Sequence, residues 1–245
     1  MPPTSTDYYD VVCSAQAERF RHGDYFINYY RRLYLRHLPA DRAVPALDLG
    51  CGAGLFLSWL RHEGRVDLTG VDGSPRAVEQ ARARAEATVH LADLRAFAAE
   101  APAGRWGLVA LNDVIEHFAP DDAIALMCAV RRLCRPGATV LLKTPNMHNP
   151  LALARRYCDL THRSGFTVQS LRQLLVLAGL EPVSIGPEPT APRYQSGARS
   201  WASRAVTLTA GAAASAAVWG INRHFGIEGP FWLSDNLIAV GRLDA

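Results

Sequence analysis

Several things are scarce in this sequence, and each scarcity excludes something. Of the 26 basic side chains only one, Lys143, is lysine; all the others are arginine. Beside so much alanine, this reads as GC-rich coding bias. No basic run stands out, and 26 bases against 23 acids leave a formal charge of only +3, so no nucleic-acid partner is expected. The five cysteines, Cys13, Cys51, Cys128, Cys134 and Cys158, form no CxxC pair and share no metal-ligand spacing with the eight histidines. Neither a disulfide framework nor a zinc module follows, and a reduced, cytosolic compartment is the simpler expectation. Met1 to Asp10 has two prolines, two acids and no apolar core segment, so no secretory signal is read there. No internal repeat is visible.

What is present is an ordinary globular composition: 245 residues, 49% hydrophobic, 20% charged and 9% aromatic. Between residues 44 and 143, short apolar runs alternate with longer helical patterns, the rhythm of βαβ units around a parallel sheet. The spacing predicts strands at Ala46–Leu49, Asp67–Val71, Thr88–Leu91, Leu108–Leu111 and Ala138–Lys143. It predicts helices at Leu55–Arg61, Pro75–Ala85 and Asp121–Leu133, with Ser74 and the Asp121/Asp122 pair as caps. A helix over Thr167–Leu180, ended by Gly179, precedes strand candidates at Pro182–Ile185 and Leu237–Val240. Ligands of such α/β sheets bind off the carboxyl ends of the strands, and function should be sought there.

Four regions follow from this reading: an N-terminal helical lid or cap over 1–43, the sheet domain over 44–186, a helical insertion over 187–235, and a last strand over 236–245 that returns to the sheet. The aromatic stretch Arg19–Leu38 is either a helix packed on the sheet edge or a lid over a site, with Tyr25 and Tyr29 as candidate substrate contacts. Residues 189–227 contain no acid but include Arg193, Arg199, Arg204 and Arg223, so the segment alone accounts for the net positive charge. Its uncharged 205–221 portion is short for a membrane span and rich in small residues. It reads as a helix packed on the domain or, flanked by arginine and tryptophan, as an interfacial contact through 199–224 at the inner face of the cell membrane.

The most informative segment is Asp48-Leu49-Gly50-Cys51-Gly52-Ala53-Gly54, a strand running into a glycine-rich turn. A dinucleotide fingerprint would need glycine at position 55, which is Leu55. The D-x-G-x-G-x-G spacing resembles the first motif of class I S-adenosylmethionine-dependent methyltransferases. The resemblance continues in order through Asp72-Gly73, Asp93-Leu94 and Asn112-Asp113-Val114-Ile115-Glu116-His117-Phe118, the last like a signature of a large metal-independent subgroup. It implies a Rossmann-like, doubly wound, seven-stranded and mostly parallel sheet with helices on both faces and an antiparallel last strand. It further implies S-adenosylmethionine as cofactor, S-adenosylhomocysteine as product, and no metal. Asp48, Gly50, Cys51, Gly52, Gly54, Asp72, Gly73, Asp93, Leu94, Asn112 and Asp113 would line the cofactor site. Asp72 would hold the ribose diol, since a carboxylate accepts two hydrogen bonds from vicinal hydroxyls. The absence of lysine and arginine between Leu47 and Leu60 suits a ligand that carries no phosphate. Asp48 and Asp93 each also have a lesser reading as a helix cap, weaker for Asp48 than for Asp93.

Asn112-Asp113-Val114-Ile115 stands where the family's base and amide N-methyltransferases often carry [ND]-P-P-[YF]. Oxygen, aliphatic nitrogen or carbon acceptors remain. A sugar hydroxyl needs a base, and histidine serves near neutral pH. His117, His148 and His162 fall on loops past strand ends. The run Arg156-Tyr157-Cys158-Asp159-Leu160-Thr161-His162, then Phe166-Thr167 and Ala178-Gly179-Leu180, resembles methyltransferases found among bacterial polysaccharide and glycolipid genes. This points to His162 or His117 as the base, oriented by Asp159 or Glu116, with Asn146, His148 and Tyr157 as further acceptor contacts. Each histidine also has a purely structural reading, as a loop cap or a satisfied buried ring. The acceptor expected first is a sugar, glycan or glycolipid hydroxyl. A phenolic or quinone-like small molecule comes second, and a non-catalytic cofactor-binding partner of a glycan-assembly complex third.

Overall fold

The computed structural model describes residues 25–149, 156–189 and 234–244, together with the isolated positions 213 and 216. Most of the expected insertion over 187–235, the 199–224 contact segment and the start of the N-terminal cap lie outside the described residues.

The described chain opens with helix α1, Tyr25–Tyr34, and a short 3₁₀ turn, Leu35–His37. There follow β1 (Ala46–Leu49), α2 (Leu55–His62), β2 (Leu68–Asp72), α3 (Pro75–Arg84), β3 (Thr88–Leu91), α4 (Leu94–Glu100) and β4 (Trp106–Asn112). A 3₁₀ turn at Ile115–His117 leads to α5 (Pro120–Leu133), β5 (Cys134–Pro145), α6 (Val168–Leu177), β6 (Glu181–Pro187) and β7 (Asn236–Arg242). The sheet has seven strands in the order β3-β2-β1-β4-β5-β7-β6. β1 to β5 pair in parallel, and β7 runs antiparallel to both β5 and β6. The expected architecture is thus the one observed.

Period-two alternation along the strands sorts the core into two layers. Leu47, Leu49, Val109, Leu111, Val140 and Leu142 face α4, α5 and α6, where Leu126, Met127, Val130, Leu171 and Leu175 meet them. Ala46, Leu108, Ala110 and Leu141 face the other way, onto Tyr34, Phe56, Trp59 and Leu60 of α1 and α2 and Val78 and Ala81 of α3. Each fully buried leucine contributes about 1.5–3 kcal/mol. Small strand residues on the second face leave room for an aromatic cluster in which Tyr30 and Tyr34 pack on Phe56 and Trp59 with ring centroids 5.3–6.3 Å apart. The aromatic N-terminal helix is therefore core on this side.

Local signals set most boundaries. Ser74 caps α3 by accepting from Ala77 N, with Pro75 at the first helical position. Thr167 and Ser170 form a reciprocal capping box at α6, and Gly179, at φ +71°, follows its end. Three differences from the sequence reading have physical causes. Asp121 and Asp122 lie inside the first turn of α5, where they favour the positive helix end; the cap position is Ala119, which gives no side-chain bond. β5 starts four residues early because Cys134 pairs with Trp106 before the ladder shifts register. Helix α4, seven residues long, has too few turns to show a period. Among the described residues, no helix is long and apolar enough to cross a membrane.

Candidate active site

The carboxyl ends of β1, β2 and β4 converge on the glycine loop. Gly50 N and Cys51 N both donate to Val71 O, holding the loop against β2. Gly50, Gly52 and Gly54 all have positive φ, at +77°, +50° and +77°. A Cβ at Gly50 would meet Val114 Cγ2 at 2.5 Å, and one at Gly54 would meet the Ala81 backbone at 2.9 Å, so both are needed for packing. Gly52 is different, for a Cβ there would meet nothing within 4 Å. Its bare backbone borders open space, which is what a closely approaching ligand requires.

Asp72 ends β2 and is oriented by two backbone donors, Gly52 N at 2.8 Å and Ser74 N at 2.9 Å. The loop and Asp72 are therefore one hydrogen-bonded unit. Gly73 follows, and an added Cβ would approach only Ala92 O, at 3.9 Å. Asp93 is the N-cap of α4: its Oδ1 accepts from Arg95 N and Ala96 N, each at 3.0 Å. The capping alternative for Asp93 is realised, and Leu94 is the first residue of that helix. Asp48 is not a cap. It is 2% exposed within β1, and its Oδ1 has no hydrogen-bond partner. Burial, and then the charge of Asp72, push its carboxyl up to about 8. The Asn112 side chain beside it offsets part of that rise, yet Asn112 Nδ2 is itself buried without a partner. The other amide atom, Oδ1, accepts from Tyr34 Oη at 2.5 Å. A buried acceptor and a buried donor thus stand side by side, both unsatisfied, at the ends of adjacent strands. Such orphans cost about 1–3 kcal/mol each unless a ligand meets them.

Asp113, at φ +56°, is a non-glycine residue in the left-handed region, and its Oδ2 lies 2.5 Å from Lys143 Nζ. Lys143 is nearly buried and also donates to Tyr29 Oη at 3.3 Å. Burial lowers the ammonium's affinity for its proton, but Asp113 and the tyrosines more than offset this and hold the pKa above the usual lysine range. Tyr29 therefore reaches the ends of β4 and β5; Tyr25 is the first residue of α1, and its side chain lies outside the described set.

A second cluster lies on loops after β4 and β5. Arg163 N and Ser164 N donate to Glu116 O, and Ser164 Oγ donates to Phe118 O, so the 156–166 loop is docked onto the Ile115–His117 turn. This brings Glu116, His117 and His162 together, with one ligand atom from each within 4.8 Å of the others. The two imidazole rings are 4.8 Å apart. Glu116 is 2% exposed; Oε2 accepts from Thr144 Oγ1 at 3.1 Å, while Oε1 is buried without a partner. Burial, then Asp113, push this carboxyl up to about 8. Burial and the neighbouring His162 push His117 down.

The Asp159 Oδ1 accepts from Thr161 N at 2.8 Å and from Thr161 Oγ1 at 2.5 Å. Thr161 Oγ1 has one proton, so its 2.9 Å bond to His117 Nδ1 must be donated by the ring. His117 therefore donates from Nδ1. Burial raises the Asp159 pKa, but the two bonds from Thr161 and the nearby histidines outweigh it and hold the group below the usual carboxylate range. Asp159, three residues before His162 in sequence, thus orients His117. His162 Nδ1 faces Arg156 O at 3.3 Å, so it too donates from Nδ1.

The remaining candidates fall away from this cluster. Asn146 is fully buried and ties β5 to the entry of β7, donating to Ser234 O at 3.1 Å and accepting from His148 N at 3.0 Å. Its amide is part of the scaffold, not of an acceptor surface. Tyr157 is 73% exposed, its ring under the Arg156 guanidinium. Sequence reasoning missed Thr161, Thr144, Tyr34 and Lys143. The lone lysine in an arginine-biased chain was the available signal for Lys143, and the Asp159–His162 run was the signal for Thr161; Thr144 and Tyr34 carried none.

A family model described as a methyltransferase domain matches residues 18–185. The chain belongs to the methyltransferase-domain family. Among curated relatives of this family member, a ubiquinone biosynthesis O-methyltransferase of Cereibacter sphaeroides is 35% identical over 152 residues, 56% of this chain and 60% of the relative. An uncharacterized 37.1 kDa protein in transposon TN4556 of Streptomyces fradiae is 29% identical over 203 residues, 76% of this chain and 54% of that protein. The chain thus matches about 60% of the length of the first of these relatives. The fold matches a SAM-dependent methyltransferase from Archaeoglobus fulgidus with TM-score 0.66 and 17% identity, over 93% of this chain and 98% of that one. It also matches a magnesium protoporphyrin IX methyltransferase from Synechocystis with bound SAH, at TM-score 0.54 and 14% identity over 98% of this chain and 83% of that one. At these identities the likeness speaks for the fold.

Proposed function

We propose that this chain is an S-adenosylmethionine-dependent O-methyltransferase whose acceptor is a hydroxyl of a small phenolic or quinol-like molecule. The observation that carries the reading is the Asp159–Thr161–His117 relay, which orients the His117 ring past the end of β4, the strand beside β1 and its glycine loop.

The cofactor fits the residues present. Asp48 Oδ1 and Asn112 Nδ2, an orphaned acceptor beside an orphaned donor, suit the ammonium and carboxylate of an amino-acid moiety. Asp72 suits the ribose diol, and Gly52 leaves the backbone bare for close approach. When bound, S-adenosylmethionine supplies an electrophilic methyl group on a sulfonium. What remains for this chain is to align an oxygen with that methyl and to take the hydroxyl proton. Alignment is an entropic contribution of several kcal/mol. Proton acceptance at His117 Nε2 contributes roughly 10²–10⁴-fold, and Asp159, through Thr161, favours the imidazolium that forms. Burial lowers the His117 pKa, which favours the neutral ring that a base requires.

The acceptor class is supported by the names of relatives, several of which are ubiquinone biosynthesis O-methyltransferases. A sugar hydroxyl, expected first from the Asp159–His162 loop, has no counterpart in those names. The test is transfer of a labelled methyl group to a panel of catechols, polyprenylated phenols, nucleotide sugars and glycolipids. Labelling confined to phenolic acceptors is expected. Labelling of sugars alone would reverse the acceptor, and cofactor binding without transfer to any acceptor would favour a non-catalytic partner.

A further inference from the structure

We propose that Lys143, together with Asn112 Nδ2, binds the α-carboxylate at the cofactor's amino-acid end, so that this end is gripped by side chains on β1, β4 and β5. The inference rests on the S-adenosylmethionine reading above. It adds a residue that lies outside the glycine loop and the acids that follow it.

Register sets the three side chains next to one another. Asp48 pairs with Ala110 of β4, and Asn112, two residues further on, pairs with Lys143 of β5. Residues two apart on a strand share a face, so Asp48, Asn112 and Lys143 stand on the side that carries Ala46, Ala110 and Leu141. That side is covered by α1. The contacts agree, for Asn112 Oδ1 accepts from Tyr34 Oη and Lys143 Nζ donates to Tyr29 Oη. Tyr30, on the same helix, is close to both charges. Burial raises its hydroxyl, Lys143 opposes the rise, and Tyr29, Asp48 and Asp113 add to it.

Each of the three side chains has bonding capacity left over. Asp48 Oδ1 is a buried acceptor and Asn112 Nδ2 a buried donor, both without partners. An ammonium carries three N–H groups. One of those on Lys143 meets Asp113 Oδ2 and another meets Tyr29 Oη, and among the described residues the third has no acceptor. The Asp113 side chain is 48% exposed against 10% for Lys143, so solvent screens the acid and the ion pair does not use up the ammonium.

An acceptor followed by two donors suits a zwitterion. The ligand's ammonium would face Asp48, and its carboxylate would lie between Asn112 and Lys143. A phosphate would meet Asp48 and the nearby Asp72 as like charges, and a simple amine would be repelled by Lys143. An α-amino acid satisfies both sides. Composition points the same way: 25 of the 26 bases are arginine, and the one lysine stands here. Its compact ammonium can send three donors in three directions, which a planar guanidinium fork cannot.

The test is calorimetric titration of the full chain with S-adenosylhomocysteine and with its decarboxylated analogue, which keeps the ammonium and loses the carboxylate. The parent should bind S-adenosylhomocysteine at least roughly tenfold more tightly than the analogue, because a charge-assisted pair is made only by the former. Lys143→Met should abolish that preference, weakening S-adenosylhomocysteine roughly tenfold and leaving the analogue within about twofold. Asn112→Asp keeps an acceptor for Tyr34 and sets a negative charge beside the carboxylate, so it should weaken S-adenosylhomocysteine in the same selective way. It decides the matter if Lys143→Met fails to fold. Equal loss of both ligands would make these residues structural, and an unchanged preference would show that they do not touch the carboxylate; either result overturns the inference. Tight binding of S-adenosylhomocysteine that is indifferent to Lys143 would leave the cofactor reading intact, whereas a parent chain that binds neither ligand would overturn both.

Discussion

The edge proposed to bind the cofactor and the edge proposed to bind the acceptor are built in different ways. The first comes from two short segments, 46–54 and 70–74, each a strand with the turn that follows it, locked together by Gly52 N to Asp72 and by Gly50 N and Cys51 N to Val71 O. The second is assembled from the turn after β4, the end of β5 and a loop that returns to dock on Glu116 O through Arg163 and Ser164. One edge is a property of adjacent strands; the other exists only once the tertiary fold is made. The two should therefore fail separately, and the following changes probe that division from the largest expected effect downward.

His117→Ala should lower turnover by about 10²–10⁴-fold while leaving S-adenosylhomocysteine affinity within about twofold, measured by initial rates and calorimetry. A comparable loss of cofactor affinity would merge the two edges. Gly52→Val should do the reverse, lowering cofactor affinity by roughly a hundredfold through occupied space, with a stability cost of about 1–2 kcal/mol for the left-handed backbone. Thr161→Val should slow transfer by roughly tenfold and alter its pH profile, because Asp159 would no longer hold the His117 tautomer.

Asp48→Asn tests the buried acid. Asp48 retains its proton in the fold up to about pH 8, while the unfolded chain loses it near pH 4. The folded state therefore binds more protons across that window, and stability falls as pH rises, by at most about 1.4 kcal/mol per unit. Glu116, also raised to about 8, adds a slope of the same sign, so denaturant titrations from about pH 5 to about pH 8 should show a slope in the parent that is reduced by Asp48's share, not abolished, in the variant. The smallest effect is expected from Asp93→Ala, which removes the α4 cap at about 1 kcal/mol and leaves turnover nearly unchanged. A large loss of cofactor affinity there would return Asp93 to the binding site.

The same division explains what the sequence made legible. Strands such as Ala46–Leu49 and Thr88–Leu91 were readable to the residue because apolar runs and turn residues are local. So were the glycine loop, Asp72 and the Ser74 cap. Helix α4 was not, since seven residues carry no helical period, although Asp93 was visible as a cap. The acidic pair Asp121 and Asp122 drew attention from Ala119 because acids are favourable both at the cap and just inside it. On the other edge the sequence left the pairing open. Asp159 could serve either histidine, and the fold ties it to His117 through Thr161, 44 positions along the chain from that ring. Asn146 looked exposed because it follows a strand end, yet β7 closes over it. No sequence pattern announces a contact made by a returning loop.

The most direct test of the account is calorimetric titration of S-adenosylhomocysteine into the full chain and into Asp72→Ala. One site per chain is expected, with affinity at least roughly tenfold weaker in the variant, because the charge-assisted bond that ties Gly52 of the glycine loop to Asp72 is lost together with the one from Ser74 N. No binding to the parent chain, or equal binding to both, would contradict it.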